Sequence, residues 1–568
     1  MSRRAPASSP LSNAPWLLVA GVGAASLLYG LLRRNTDQAA PIDEVPPITE
    51  APPGPAPEGS PVMPGTVSIA LSAPTATAAA AATARCPGCD IVLVTVCSLR
   101  RDAVGRYGEH PGLTPAIDRF AEGGYLFDAA YAASNFTLAS LTAILTGRFG
   151  SSTGVLTWDK GLVADVPTLP EVLGLYGYRT GAFTVDAPSG FRPDYGLDRG
   201  FQRMEIIAAP RDTPDGRFGG GPPGPGGDSA TPIVEWLGEQ TGPEPIFAMF
   251  HTRSAHFPFV ITDDEAGADP TGIHHLLWEA GRVDVNKVGS VAMPGMAGGT
   301  AQKGVVSIGK DPLQVAVSAQ GAPAVESWRK AYYDSVGRLD RDLVRLFEAL
   351  EKRGRLDRTI LLLVADHGES LSDHGELLHG DAYWDSVINV PLLLRVPGLP
   401  GKTDPIGSLV SHTDILPTLL DLVGAVPPAE IDGRSMVPLL TGEADAIRQI
   451  ALSEGGVAKE QGGEARGAVI APPYTLLRQY GGCGGPPGHD PPRSPGAPAT
   501  CLYDLRNDPD QLTNVAKAHP EVVGELQGRW DAFRAARATE ARALTLDPAM
   551  VEALRVSGYD FSASPRRP

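Results

Sequence analysis

Residues 90–96 read DIVLVTV, an unbroken apolar and β-branched run with a single acidic residue at its start. A strand with one wet face alternates polar and apolar residues. A run without alternation predicts a strand buried on both faces, as in a parallel sheet covered by helices on each side. The pattern recurs along the chain in GYRTGAFTV (177–185), PIFAMFH (245–251) and TILLLVAD (359–366). Segments of helical periodicity separate these runs, among them WRKAYYDSVGRLDRDLVRLFEALEKRG (328–354), whose closing Gly354 is a helix stop. Strand and helix patterns in alternation predict an α/β domain built on a largely parallel sheet.

The 568-residue chain has ample apolar content, 42%, for at least one large core. Its formal net charge of -17 disfavours nucleic acid and anionic lipid surfaces as partners, since both need a positive field. Five cysteines are too few for a disulfide scaffold. Cys86 and Cys89 form a lone CPGC, readable as a redox pair, half a zinc site or a local disulfide. Cys483 and Cys501 bracket a Gly/Pro-rich stretch, and a disulfide closing it is expected in an oxidising compartment; the alternative is two free thiols.

Composition divides the chain. Residues 1–34 hold WLLVAGVGAASLLYGLL (16–32), an apolar run just long enough to span a bilayer. A cleaved signal peptide is the rival reading, but Arg33 and Arg34 stand where a small-residue cleavage site belongs, so an uncleaved membrane anchor is expected. Residues 35–85 read as a Pro/Ala-rich tether, and 86–450 as the main α/β domain. Residues 451–568, with short strands in AVIAPPYTLLRQY and CLYDL and a helix near Glu521 to Ala536, read as a smaller α+β subdomain. Low-complexity stretches at 219–227 and 481–498 read as surface loops, and 261–325 as a long insertion beside the site.

Three segments carry chemistry. Asp366 and His367 end a strand, where ligands of open α/β sheets bind, and the pair makes a partial site for a divalent metal; the plainer alternative is a solvated turn. Thr137 opens TLASLTAILTG, either as an ordinary helix N-cap or as a nucleophile where the helix dipole favours a phosphate or sulfate group. HTRSAHFPF (251–259) places His251 and His256 directly after a strand.

Taken in order, these segments resemble the sulfatase family of alkaline-phosphatase-like hydrolases. The likeness runs through DIVLVTVCSLRRDAVGRYG, TLASLTAILTGR, HTRSAHFPF, RLDRTILLLVADHGESLSDHG, VINVPLLLRVPG, DGRSMVPLLTG and LYDLRNDPDQLTNVA, and spans roughly residues 90 to 560. It implies a three-layer α/β/α sandwich with a C-terminal subdomain on a small antiparallel sheet. It also implies a sulfate or phosphate ester substrate and a divalent metal, zinc or calcium. Carried over by position, Asp366, His367 and Cys97 fall at metal-binding positions, Thr137 at the nucleophile, and His256 and His379 at positions that contact the ester or its leaving group; His251 matches less securely.

The departures are equally specific. Cys97 stands where relatives have a metal-binding aspartate, and is readable as a soft thiolate ligand or as a small buried hydrophobe. Thr137 cannot become the formylglycine of sulfatases, which starts from cysteine or serine, and Leu141 stands where relatives carry a cation. Three readings follow: an ester hydrolase acting through Thr137, a catalytically silent relative that binds an anionic ligand, and a phosphoryl-group transferase.

The anchor and tether predict a folded domain outside the cytoplasm, periplasmic or at the cell surface. Protease added to cells whose outer layer is permeabilised should release a soluble fragment by cutting between about residues 35 and 85. A fragment protected until the cytoplasmic membrane is broken would contradict this orientation.

Overall fold

The chain's computed structural model describes residues 85–185, 191–207, 230–257, 259, 322–380, 383–455, 466–479, 482–483, 499–537, 539 and 541–545. The anchor, most of the tether, the loop at 219–227, nearly all of the 481–498 loop and all but the last four residues of the 261–325 insertion lie outside them. Among the described residues no helix is long and apolar enough to cross a membrane.

DIVLVTV forms β1 (Asp90–Val96), every residue of which is buried. With β2 (Tyr125–Leu126), β3 (Arg179–Val185), β4 (Arg203–Ile207), β5 (Ile246–Thr252), β6 (Thr359–Ala365) and β7 (Leu392–Arg395) it builds a seven-stranded sheet in the order β2-β7-β6-β1-β5-β3-β4. β6, β1, β5, β3 and β4 pair in parallel, whereas β7 runs antiparallel to both β6 and β2. The expected largely parallel sheet is therefore present, with an antiparallel turn at one edge.

The fully apolar strands lie at the centre because only there are both faces covered. Edge strand β4, RMEII, is half-exposed, so its residues carry none of the continuous apolar signal that reveals β1, β5 and β6.

Helices cover the sheet in two packed groups, giving the three-layer α/β/α architecture. In one, α3 (Ala322–Lys352) packs on α2 (Thr231–Glu239). Its buried residues Trp328, Tyr332, Val336, Leu339, Leu343, Leu346 and Leu350 recur every three or four positions, which places them on one stripe. The chain leaves α3 at Gly354, whose φ of +66° is the left-handed conformation of a helix stop. In the other group, α1 (Thr137–Thr146) packs on α4 (Ile415–Val423). Every residue of α1 is buried; its threonines tolerate this because Thr142 and Thr146 donate to the carbonyls of Leu138 and Thr142, at 2.7 and 2.6 Å.

Beyond residue 450, β8 (Ala451–Gly455), β9 (Arg466–Ala471), β10 (Tyr474–Gln479) and β11 (Ala499–Asp504) form a four-stranded antiparallel sheet in chain order, followed by α5 (Pro520–Arg537). AVIAPPYTLLRQY is thus two strands of a hairpin, turned at Pro472 and Pro473. Glu454 of β8 ties this sheet to its neighbours. Its carboxylate accepts from Ser151 N and Oγ at 3.0 and 2.8 Å and from Arg534 of α5 at 2.9 Å.

Candidate active site

The register of the central strands fixes the site. Val96 pairs with Ala365 on one side and with Thr252 on the other, so β1, β5 and β6 end level. The ladder runs one step further, Cys97 N donating to Thr252 O at 2.8 Å and Asp366 N to Val96 O at 3.1 Å. The residues that follow, Cys97, Arg253 and Asp366–His367, are thereby delivered to one edge of the sheet. Ser98, next to Cys97, has a φ of +60°, a strained conformation for a non-glycine residue. Gly368 completes the Asp366–His367 turn, because a Cβ there would collide with the Ser386 carbonyl.

α1 supplies the fourth group. Thr137 is its first helical residue and the extended Phe136 is the N-cap, so of the two readings of Thr137 the N-cap does not hold. One position further in, its hydroxyl faces the sheet edge and serves no capping role. Thr137 Oγ1 lies 3.3 Å from Cys97 Sγ and 3.4 Å from His367 Nε2, and the sulfur lies 3.8 Å from the same nitrogen. Cys97, Asp366 and His367 offer three potential ligand atoms within 4.8 Å of one another, all fully buried.

The hydrogen bonds prepare these atoms for a cation. His367 Nδ1 donates to Gly368 O at 2.8 Å, which leaves its Nε2 as a lone pair directed at Thr137 and Cys97. Asp366 Oδ1 accepts from His367 N at 2.7 Å and Ser98 N at 3.3 Å, while buried Oδ2 has no hydrogen-bond partner. Burial opposes ionisation of Asp366, but the neighbouring His367 and His251, with Thr137 and Cys97 close by, outweigh it and hold its carboxyl below the usual range. Burial pulls His367 and His251 down to about 4. Burial, and then the charge of Asp366, push the Cys97 thiol well above its ordinary value. At neutral pH this cluster thus holds the Asp366 carboxylate among the neutral imidazoles of His367 and His251 and the protonated Cys97 thiol. An unpaired buried anion is costly, and a divalent cation on Oδ2 would remove that cost.

His379 and His256 line up beyond this cluster. The His379 ring centroid is 4.1 Å from that of His367 and 5.0 Å from that of His256. Glu369 Oε1 accepts from His379 Nδ1 at 3.1 Å; His256 Nδ1 donates to the Phe257 carbonyl, and Arg253 donates to His256 Nε2 at 3.3 Å. Burial, and then the Arg253 charge, hold His256 well below its usual range. All six site residues expected from the sequence therefore gather in one pocket. His251 lies at its floor, its Nδ1 bonded to Thr95 Oγ1 at 2.9 Å. Sequence reasoning passed over Glu369 and Arg253, although both lie inside segments singled out for other residues, ADHGES and HTRSAHF. His412 was also missed. It accepts from Ala133 N at 3.3 Å and donates to Ala365 O at 2.9 Å, clamping the strand end beneath the site, and nothing in the sequence around it signals that role.

A hydroxyl at a helix N-terminus, beside carboxylate, imidazole and thiol donors at the carboxyl ends of parallel strands, defines a hydrolase-type site for an anionic ester. The family model for sulfatases matches residues 90–425, and the chain belongs to the sulfatase family, metal-dependent hydrolases of sulfate esters. A Delta 4,5-hexuronate-2-O-sulfatase of Bacteroides thetaiotaomicron is 23% identical over 474 residues, covering 80% of this chain and 91% of that protein. In fold, the chain is similar to a 2-O GAG sulfatase (TM-score 0.60, 20% identity, 82% of this chain and 96% of that one). It is also similar to the phosphonate monoester hydrolase of Agrobacterium radiobacter (TM-score 0.57, 22% identity, 79% of this chain and 96% of that one).

Leu141, one turn along α1 from Thr137, is fully buried within the hydrophobic core. A cation introduced there meets apolar neighbours rather than the ester. Leu141→Arg should therefore cost several kcal/mol and lower the melting temperature by roughly 10 °C, whereas Leu141→Met should leave it nearly unchanged. An unaltered melting temperature for Leu141→Arg would show that the pocket accepts a cation at this position.

Proposed function

We propose that the chain hydrolyses phosphate esters, and sulfate esters less well, through Thr137, in a membrane-anchored domain outside the cytoplasm. The observation that carries this reading is the contact of Thr137 Oγ1 with Cys97 Sγ and His367 Nε2 at the N-terminus of α1. Cys97, Asp366 and His367 would hold a divalent ion, which supplies neutralisation of the ester oxygens and a more acidic hydroxyl. One sulfur, one nitrogen and one carboxylate suit zinc; calcium takes roughly six to eight oxygen ligands and is poorly served by a thiolate.

The chain's own groups divide the remaining work. The Thr137 hydroxyl, its proton passing to solvent, would bond to the central phosphorus or sulfur as the bond to the alkoxide breaks, with the backbone N–H groups of α1 facing the ester oxygens. Water would then cleave the Thr137 ester, releasing phosphate or sulfate and restoring the hydroxyl. His379, oriented by Glu369, would protonate the leaving alkoxide, and Arg253 would hold His256 against the ester. That Thr137 cannot become formylglycine supports phosphate over sulfate. The name of the Bacteroides relative supports a sugar as the alcohol portion. Disulfides Cys86–Cys89 and Cys483–Cys501 support an oxidising compartment, and with it the extracytoplasmic placement.

A second reading, a silent relative that binds an anionic ligand, is favoured by the protonated Cys97 thiol and by Leu141. Turnover decides between them. Full-length protein loaded with zinc should hydrolyse p-nitrophenyl phosphate slowly and p-nitrophenyl sulfate more slowly still. Thr137→Ala should lower the rate by at least about 10²-fold with the melting temperature preserved. His379→Ala should slow esters of poor leaving groups more than those of good ones. Full activity of Thr137→Ala would overturn the nucleophile, and loss of turnover on every ester with zinc bound would establish the binder.

A further inference from the structure

The turn by which the chain leaves β1 is made at Ser98, in the left-handed region at a φ of +60°. A serine stays there only where surrounding contacts impose it. Its own side chain imposes nothing, since the buried Oγ has no hydrogen-bond partner. The backbone is what is held. Ser98 N donates to Asp366 Oδ1 at 3.3 Å, a long bond and one made to a candidate ligand. The shorter bonds come from outside the site: the Tyr332 hydroxyl donates to Ser98 O and accepts from Arg100 N, both at 2.8 Å. One oxygen thus clasps the turn on either side of Leu99.

Tyr332 belongs to the buried stripe of α3 and is itself fully buried, its ring packed against those of Tyr333 and Phe259 with centroids 5.4 and 5.6 Å away. Burial pushes its hydroxyl well above the ordinary range, so it stays a donor at any working pH. The same helix holds the turn after β6. One helical turn earlier, Arg329 Nε donates to Leu371 O at 3.0 Å. Arg100 joins the two turns, its Nη1 donating to Glu369 O at 3.0 Å. The segments that carry Cys97 and Asp366–His367 into the site are therefore tied to α3 and to each other, and the tie on the Cys97 side is a single phenolic oxygen.

We propose that Tyr332 is a positioning residue for the cation site: its hydroxyl holds Ser98 left-handed, which keeps Cys97 Sγ beside Thr137 and His367 and presents Ser98 N–H to Asp366. The inference rests on the reading of Cys97, Asp366 and His367 as ligands, but the brace can be tested without metal. Cys97 is the chain's unpaired cysteine, the other four being joined in disulfides, so its thiol reports on the turn alone.

Tyr332→Phe removes the clasp and keeps the ring. In full-length protein it should weaken zinc binding about tenfold or more. In the zinc-free protein it should speed alkylation of Cys97 by N-ethylmaleimide at least about fivefold. Adding Ser98→Gly should bring both quantities back toward native, because glycine takes a φ of +60° without steric cost, whereas adding Ser98→Ala should not. Tyr178→Phe is the matched control. It deletes a buried hydroxyl bonded to Cys89 O at 2.8 Å, just before β1 begins, and should lower the melting temperature while leaving Cys97 alkylation and zinc affinity unchanged. Should Tyr332→Phe fail to fold, Ser98→Gly alone decides: it should raise the melting temperature, and an unchanged or lowered one would overturn the strain that the clasp maintains. Native alkylation and zinc affinity in Tyr332→Phe, or equal acceleration in Tyr178→Phe, would overturn the brace. No zinc uptake by native protein, with Cys97 alkylation still following this pattern, would overturn the cation site and leave the brace standing.

Discussion

Everything at the candidate active site depends on three parallel strands ending in register. Val96, Thr252 and Ala365 are cross-strand partners, so the next residue of each strand emerges at the same level. A slip of one residue would turn each of these side chains to the opposite face, and Cys97, Asp366 and His367 could not converge. The register is itself held by burial, since β1, β5 and β6 are buried at every position and no residue of theirs can be traded for a wet one. Catalytic geometry here is a by-product of a fully covered sheet.

The same burial sets the electrostatics. It disfavours charge on His251, His367 and Cys97, whereas Asp366 stays charged against burial, held by His367 and His251. The Asp366 carboxylate thus stands charged beside neutral His251, His367 and Cys97, an arrangement that a cation would complement. In place of an aspartate at the first strand's end, Cys97 changes the hardness of that pocket rather than its location. On the proposed reading, a thiolate formed on metal binding would join an imidazole and one carboxylate, a donor set that suits zinc.

The central strands were legible in the sequence because continuous burial leaves an unmistakable apolar run, and the Asp366–His367 turn was legible because it follows one directly. β4 was not, since half-exposed RMEII shows neither alternation nor a continuous run. β2 and β7 escaped because the short antiparallel edge depends on partners far apart in the chain: Leu126 and Leu363 meet across Leu393. Among the site residues, the sequence left Thr137 open between N-cap and nucleophile, as helix boundaries shift by a residue or two and only the extended Phe136 fixes this one. Glu369 and Arg253 were invisible as functional groups because their roles lie in orienting His379 and His256, a relation of space rather than spacing.

The central claim is that the altered site keeps a cation by exchanging a hard ligand for a soft one. X-ray absorption at the zinc edge, on full-length protein purified without chelators, tests it directly. The account predicts one zinc per chain with a single sulfur ligand near 2.3 Å and the remainder nitrogen and oxygen, the sulfur lost in Cys97→Ser. Stoichiometric calcium instead of zinc, or zinc with no sulfur in its shell, would contradict it.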